Sequence, residues 1–150
     1  MRAKYPPHLQ AAIDLALEGQ AGPRAERVEL VLPFPPSVNN LYRTIKLPNG
    51  QLARAKSKRA RQYDTTVRHA LAEWQRTSGL RPPRGPYSLI VRLYPPRDGR
   101  RHDLSNSFKA PEDAIFAAIG EDDNDVHTIV ATKLEPVPKG RVEIILEGRA

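Results

Sequence analysis

The chain contains no cysteine. A disulfide framework, a thiolate zinc site and a cysteine nucleophile are therefore excluded, and any metal must be held by oxygen or imidazole. Aromatic residues are scarce, at 6% of the sequence, which argues against a sheet surface that stacks single-stranded RNA bases. No stretch approaches the about 20 apolar residues of a membrane span. The first segment, MRAKYPPHLQAAIDLALEGQ, lacks an uninterrupted apolar core of signal-peptide length. The expectation is a cytoplasmic protein with no membrane partner. Acidic residues are also in the minority, 17 against 24 Lys and Arg, for a net charge of +7. A polyanion is the leading partner class, because surplus Lys and Arg gain most by neutralising phosphates and releasing their counterions.

Proline, by contrast, is abundant, with 15 residues. Most stand in PP or P-x-P contexts between apolar runs, where they separate elements rather than form a low-complexity tract. A length of 150 residues suits one domain with a single core. Residues 1–27 read as an N-terminal extension with a short helix over 8–19, broken by GQAGPRAER, and residues 28–150 as the domain. VELVLPF alternates as a strand from Val28, and Asn49-Gly50 marks a tight hairpin turn within TIKLPNGQLARA. From Ser57 to about Thr77, Ala60, Tyr63, Val67, Ala70, Leu71 and Trp74 recur at helical spacing, with Ser57 as N-cap and Gly79 as terminator. YSLIVRLY at 87–94 reads as a strand. A loop and a second helix to about Ile119 follow, then strands near 126–134 and 141–147. The order β, hairpin, α, β, α, β, β implies an α/β or α+β domain, one mixed sheet covered by two helices.

One stretch runs against the charge of the whole. RHDLSNSFKAPEDAIFAAIGEDDND gathers carboxylates around Lys109, just after the basic run RDGRRH. On a single helix from Asn106 to Ile119, Phe108, Ile115 and Ile119 share a buried face, while Asn106, Lys109 and Asp113 share another beside Asp103. Asp122 and Asp123 stand at the far end, and they meet Lys109 only if the sheet returns the chain there. Oxygen donors with one lysine suit Mg²⁺-dependent phosphodiester hydrolysis, in which the lysine adds fixed positive charge for the developing anion. The bland alternative is a solvated helix end, with Asp103 in a surface ion pair beside Arg100, Arg101 and His102. DDND also begins like a calcium loop, but the required glycine and closing glutamate are absent. His69, His102 and His127 have no second histidine at ligand spacing.

LPFPPSVNNLYR, RRHDLSNSFKAPEDAI and EDDNDV, followed by a β-prone run and PKGRVEIILE, together resemble the RusA family of Holliday-junction resolvases over about residues 28–147. The resemblance implies a small homodimer that binds four-way junctions in double-stranded DNA and nicks two strands symmetrically with Mg²⁺, for which Mn²⁺ substitutes. The family pattern D-x-D-N-x-x-K, followed by an acidic pair, carries over as Asp103, Asn106, Lys109 and the pair Asp122 and Asp123. Asp103 and Asp123 would hold metal with help from Asp122, and Lys109 would be catalytic. Ser105 stands where the family usually has its second aspartate. That departure puts catalysis in question unless Asp122, Asp125 or a water fills the place; Ser105 itself could hold a metal's water or cap the helix. A DNA-binding protein that has lost cleavage is the alternative. Asn39, Tyr42, Arg43, Arg54, Lys56, Lys58, Arg59, Arg61, Arg100, Arg101 and Asn106 are the expected DNA contacts.

Overall fold

The alternation in RVELVL becomes strand β1 (Arg27–Leu32), with Val28, Leu30 and Leu32 buried and the residues between them exposed. The computed structural model describes residues 5–10 and 22–150. The helix expected over 8–19 lies, from residue 11 onward, outside the described residues. Ahead of β1, Ala25 is already buried and its N–H donates to the Arg81 carbonyl at 2.8 Å.

A 3-10 turn at Val38–Asn40 leads into β2 (Tyr42–Lys46), which pairs antiparallel with β3 (Leu52–Lys56) around the Asn49-Gly50 turn. Helix α1 (Lys58–Ser78) begins at Ser57, whose hydroxyl accepts from the Ala60 N–H at 3.1 Å, and ends at Gly79 in the left-handed conformation. Its buried stripe is Ala60, Tyr63, Val67 and Leu71, with Trp74 packed at the core margin. Strand β4 (Arg84–Tyr94) follows, then two helical pieces, α2 (Leu104–Ser107) and α3 (Lys109–Ile119), and strands β5 (Val126–Lys133) and β6 (Arg141–Arg149).

The expected mixed sheet forms, with the hairpin outside it, and one expectation needs correction. The sheet is four-stranded, in the order β1-β6-β4-β5, and the β2–β3 hairpin forms a separate two-stranded sheet. LPFPPS lies between β1 and the hairpin; three prolines there remove ladder donors and fix the backbone, so the chain leaves the sheet plane. The helix expected from Asn106 to Ile119 is broken at Phe108. Pro111 explains the break: its ring would clash with the carbonyl four residues back, on Ser107, but is tolerated in the first turn of a new helix. The ladder of α3 accordingly starts with the Glu112 N–H donating to the Phe108 carbonyl at 3.1 Å.

β4 and β5 run parallel with α2 and α3 between them, and the other sheet pairings are antiparallel. Leu89, Val91 and Leu93 of β4 meet Val142, Ile144 and Leu146 of β6 and Ile115 of α3 in one core. The chain is thus a small α+β domain. No helix among the described residues is long and apolar enough to cross a membrane.

Candidate active site around Lys109

Lys109 opens α3, where the exposed N–H groups make the helix end positive and a lysine is electrostatically misplaced. Three carboxylates offset that placement. The Nζ lies 3.1 Å from Asp113, one turn along, 3.7 Å from Asp123 and 4.0 Å from Glu112. Partial burial of the ammonium favours its neutral form, but the hydrogen bond and charge of Asp113, with the charges of Glu112 and Asp123, outweigh it. Its pKa therefore lies above the ordinary lysine value. The group is a permanent cation at neutral pH, suited to stabilising charge rather than abstracting protons.

Asp123 reaches Lys109 because the chain reverses at the end of α3. Gly120 adopts φ 73°, and the N–H groups of Gly120 and Glu121 donate to the carbonyls of Ala117 and Phe116 at 3.2 and 3.0 Å, a closure that favours glycine at the left-handed position. A 3-10 turn at Asp123–Asp125 then feeds β5. Asp122 builds that turn: its two oxygens accept from the Asn124 N–H at 3.0 Å and the Asn124 side-chain amide at 3.2 Å. The first of these bonds is the main reason its pKa lies below the usual carboxylate range. Asp113, Phe116, Ala117, Glu121, Asp122 and Asp123 line an open cleft of about 400 Å³.

The remaining expected residues divide by place. Asp103 is the residue before α2 and pairs with Arg101 at 3.3 Å. Ser105 lies inside α2 and is exposed, so it does not cap the helix; the N-cap position belongs to Asp103. Asn106 is half-buried and donates its N–H to the Asp103 carbonyl at 3.2 Å. Asp125 pairs with His127 at 3.7 Å and lies so close over Gly85 that a Cβ there would sit 1.7 Å from its Oδ2. Lys56 is tied to Asp64 at 2.5 Å, and the Arg54 guanidinium lies 4.7 Å from the centre of the Tyr42 ring. Asn39, Arg43, Lys58, Arg59, Arg61 and Arg100 are exposed.

Two contributors escape a reading of the sequence. Glu112 is buried at 7% exposure although it looks like a surface residue in KAPEDA. The His102 Nε2–H donates to Asp98 at 3.0 Å and the ring meets Phe34 edge-on, 5.1 Å between ring centres, pinning the loop that delivers Asp103. The spacing of Glu112, four residues after Phe108 and three before Ile115, places it on the buried face of the helix and is the sequence signal for its inward turn.

Among the described residues, no group of three or more His, Asp or Glu side chains is placed to hold a metal ion. The donors that line the cleft are hard carboxylate oxygens, and the cleft is open to water. That set fits Mg²⁺, which takes one or two carboxylates and retains several waters.

Burial is the main cause that raises the Glu112 pKa above the ordinary glutamate value; Lys109 lowers it, and Asp113 and Asp123 raise it further. A carboxylate whose folded-state pKa is raised makes the native state bind more protons than the unfolded one. Stability therefore rises as pH falls through the folded pKa toward the unfolded value, and ionised Glu112 costs stability at neutral pH. Glu112→Gln is expected to be at least as stable as the parent at pH 7 and to lose that rise below it. Urea unfolding from pH 7.5 down to 4.5 measures both.

Residues 33–147 match the family model described as endodeoxyribonuclease RusA. No curated protein matches the chain.

Proposed function

Because the chain belongs to the RusA endodeoxyribonuclease family, a family of Holliday-junction resolving endonucleases, we propose that it is a Mg²⁺-dependent nuclease that resolves branched DNA by paired nicks. The observation that carries this reading is the ammonium of Lys109 held at the positive end of α3 between Asp113 and Asp123. The helix end alone disfavours a lysine there, and the ammonium that the carboxylates hold in place is suited to a phosphoryl group gaining charge. Asp123 and Asp103 are the proposed metal ligands, with Asp122 assisting through the turn that sets Asp123. When bound, Mg²⁺ supplies Lewis-acid stabilisation of the phosphoryl oxygens and makes water a stronger nucleophile. Asp113 orients the Lys109 ammonium and keeps it charged. Lys58, Arg59 and Arg61 crowd the first turns of α1, which hold no acid in the first turn, and phosphates would relieve their mutual repulsion.

Ser105 favours a second reading, a junction-binding protein that no longer cuts, since one family carboxylate is missing from the exposed first turn of α2. Ser105→Asp separates the two. A chain that already nicks junctions is expected to change less than about tenfold, because Asp103 and Asp123 suffice for a cation that needs one or two carboxylates. Appearance of nicking from an inert parent would establish the binder.

A homodimer suits a two-fold symmetric junction. β5 is an edge strand with Ile129 and Val130 exposed at 41% and 49%, and exposed edges with apolar side chains pair readily with another strand. Antiparallel pairing of two copies centred on Ile129 would set Asp125 opposite the partner's Lys133. Val130→Lys is expected to convert a dimer to monomer in size-exclusion light scattering. A dimer that persists in both Ile129→Lys and Val130→Lys places the interface elsewhere.

A further inference from the structure

Between Tyr42 and Lys56 the chain carries Arg43, Lys46, Arg54 and Lys56 and no carboxylate. Directly paired residues of an antiparallel hairpin share a face. The register therefore puts Tyr42 with Lys56, Thr44 with Arg54 and Lys46 with Leu52 on one face, and Arg43 with Ala55 and Ile45 with Ala53 on the other. Ile45, Ala53 and Ala55 are half-buried, whereas Tyr42, Thr44, Lys46, Leu52 and Arg54 are exposed. The exposed face starts at the active site: Tyr42, Lys56 and Asp64 share a small recess with Asp113. It ends at Leu52, 72% exposed beside the Asn49-Gly50 turn.

We propose that this hairpin recognises the branch point of the DNA, with its cations on the phosphates of one arm and Leu52 seated against unstacked bases. The inference rests on the DNA-cleaving reading above, because it assigns the same substrate. A two-stranded hairpin has no core of its own to cover a leucine at its tip, so any burial of Leu52 would come from a partner. The phosphate surface of a linear duplex offers Arg and Lys their ligand but offers a leucine nothing. Bare apolar base faces occur where stacking is interrupted, and apolar side chains use such steps as wedge sites. The cations thus supply affinity for any duplex, and the leucine supplies preference for a branch.

The test is equilibrium binding of the full chain, in EDTA, to an immobile four-way junction and to a linear duplex of the same arm sequence. The junction carries 2-aminopurine at the branch. Leu52→Ser, a change at a solvent-exposed position, is expected to cut the junction-to-duplex affinity ratio by about tenfold and to abolish the 2-aminopurine response, with duplex affinity unchanged. The Lys46→Gln, Arg54→Gln double variant is expected to weaken both substrates alike and to reduce the salt slope by about two. A Leu52→Ser chain that keeps the parent ratio and fluorescence overturns the hairpin proposal while leaving the nuclease reading intact. A parent chain that binds neither substrate overturns both.

Discussion

Lys109→Met is expected to slow junction nicking by about 10²–10³-fold, the usual cost of removing one donor aimed at developing charge. Affinity for the uncut junction should stay within a few-fold of the parent, since one lysine among many basic residues contributes little to overall phosphate binding. The reason lies in the local balance. Asp113, Asp123 and Glu112 surround a single ammonium, and its removal leaves only carboxylates facing a phosphate. Lys109→Arg should recover part of the rate, because the charge returns but the compact point donor becomes a planar fork. Single-turnover cleavage beside filter binding resolves rate from affinity. Equal losses of both would mean that Lys109 only holds DNA.

The second large effect is expected for Asp123→Asn. Nicking should fall by about 10²-fold or more, the rate equivalent of several kcal/mol of lost charge stabilisation. Mn²⁺ binding, followed by electron paramagnetic resonance in the absence of DNA, should weaken in parallel. DNA affinity in EDTA should rise slightly, because one repulsive charge has gone from the cleft. The neighbouring Asp122 makes a useful contrast. Its oxygens are engaged by Asn124, so Asp122→Asn should act mainly by loosening the turn that presents Asp123. An Asp123→Asn chain with the parent's Mn²⁺ affinity and rate would remove Asp123 from the site.

Much of the scaffold follows from local pattern. The two-residue alternation of β1, the stripe of α1 with its Ser57 and Gly79 ends, and the Asn49-Gly50 turn all depend on neighbours a few residues apart. Sequence spacing carries such information directly. The meeting of Lys109 with Asp123 does not follow from spacing, because it requires the reversal at Gly120 and the parallel placement of β5 beside β4. The His102 contact with Phe34 also joins segments whose approach is set by the whole core. The family resemblance named Lys109 and Asp123 from motif order, and the fold supplies a physical reason for pairing them. For Asp103 the fold supplies a different partner, Arg101, which a phosphate backbone could draw away.

On the proposed reading, a basic domain gathers branched DNA around a small acidic cleft that cuts it. The most direct measurement is incubation of the purified chain with Mg²⁺ and a synthetic four-way junction, beside a linear duplex of matched sequence. Paired nicks in opposing arms of the junction, absent in EDTA and rare on the duplex, are the predicted result. A folded chain that binds the junction yet produces no nicks with either Mg²⁺ or Mn²⁺ would contradict it.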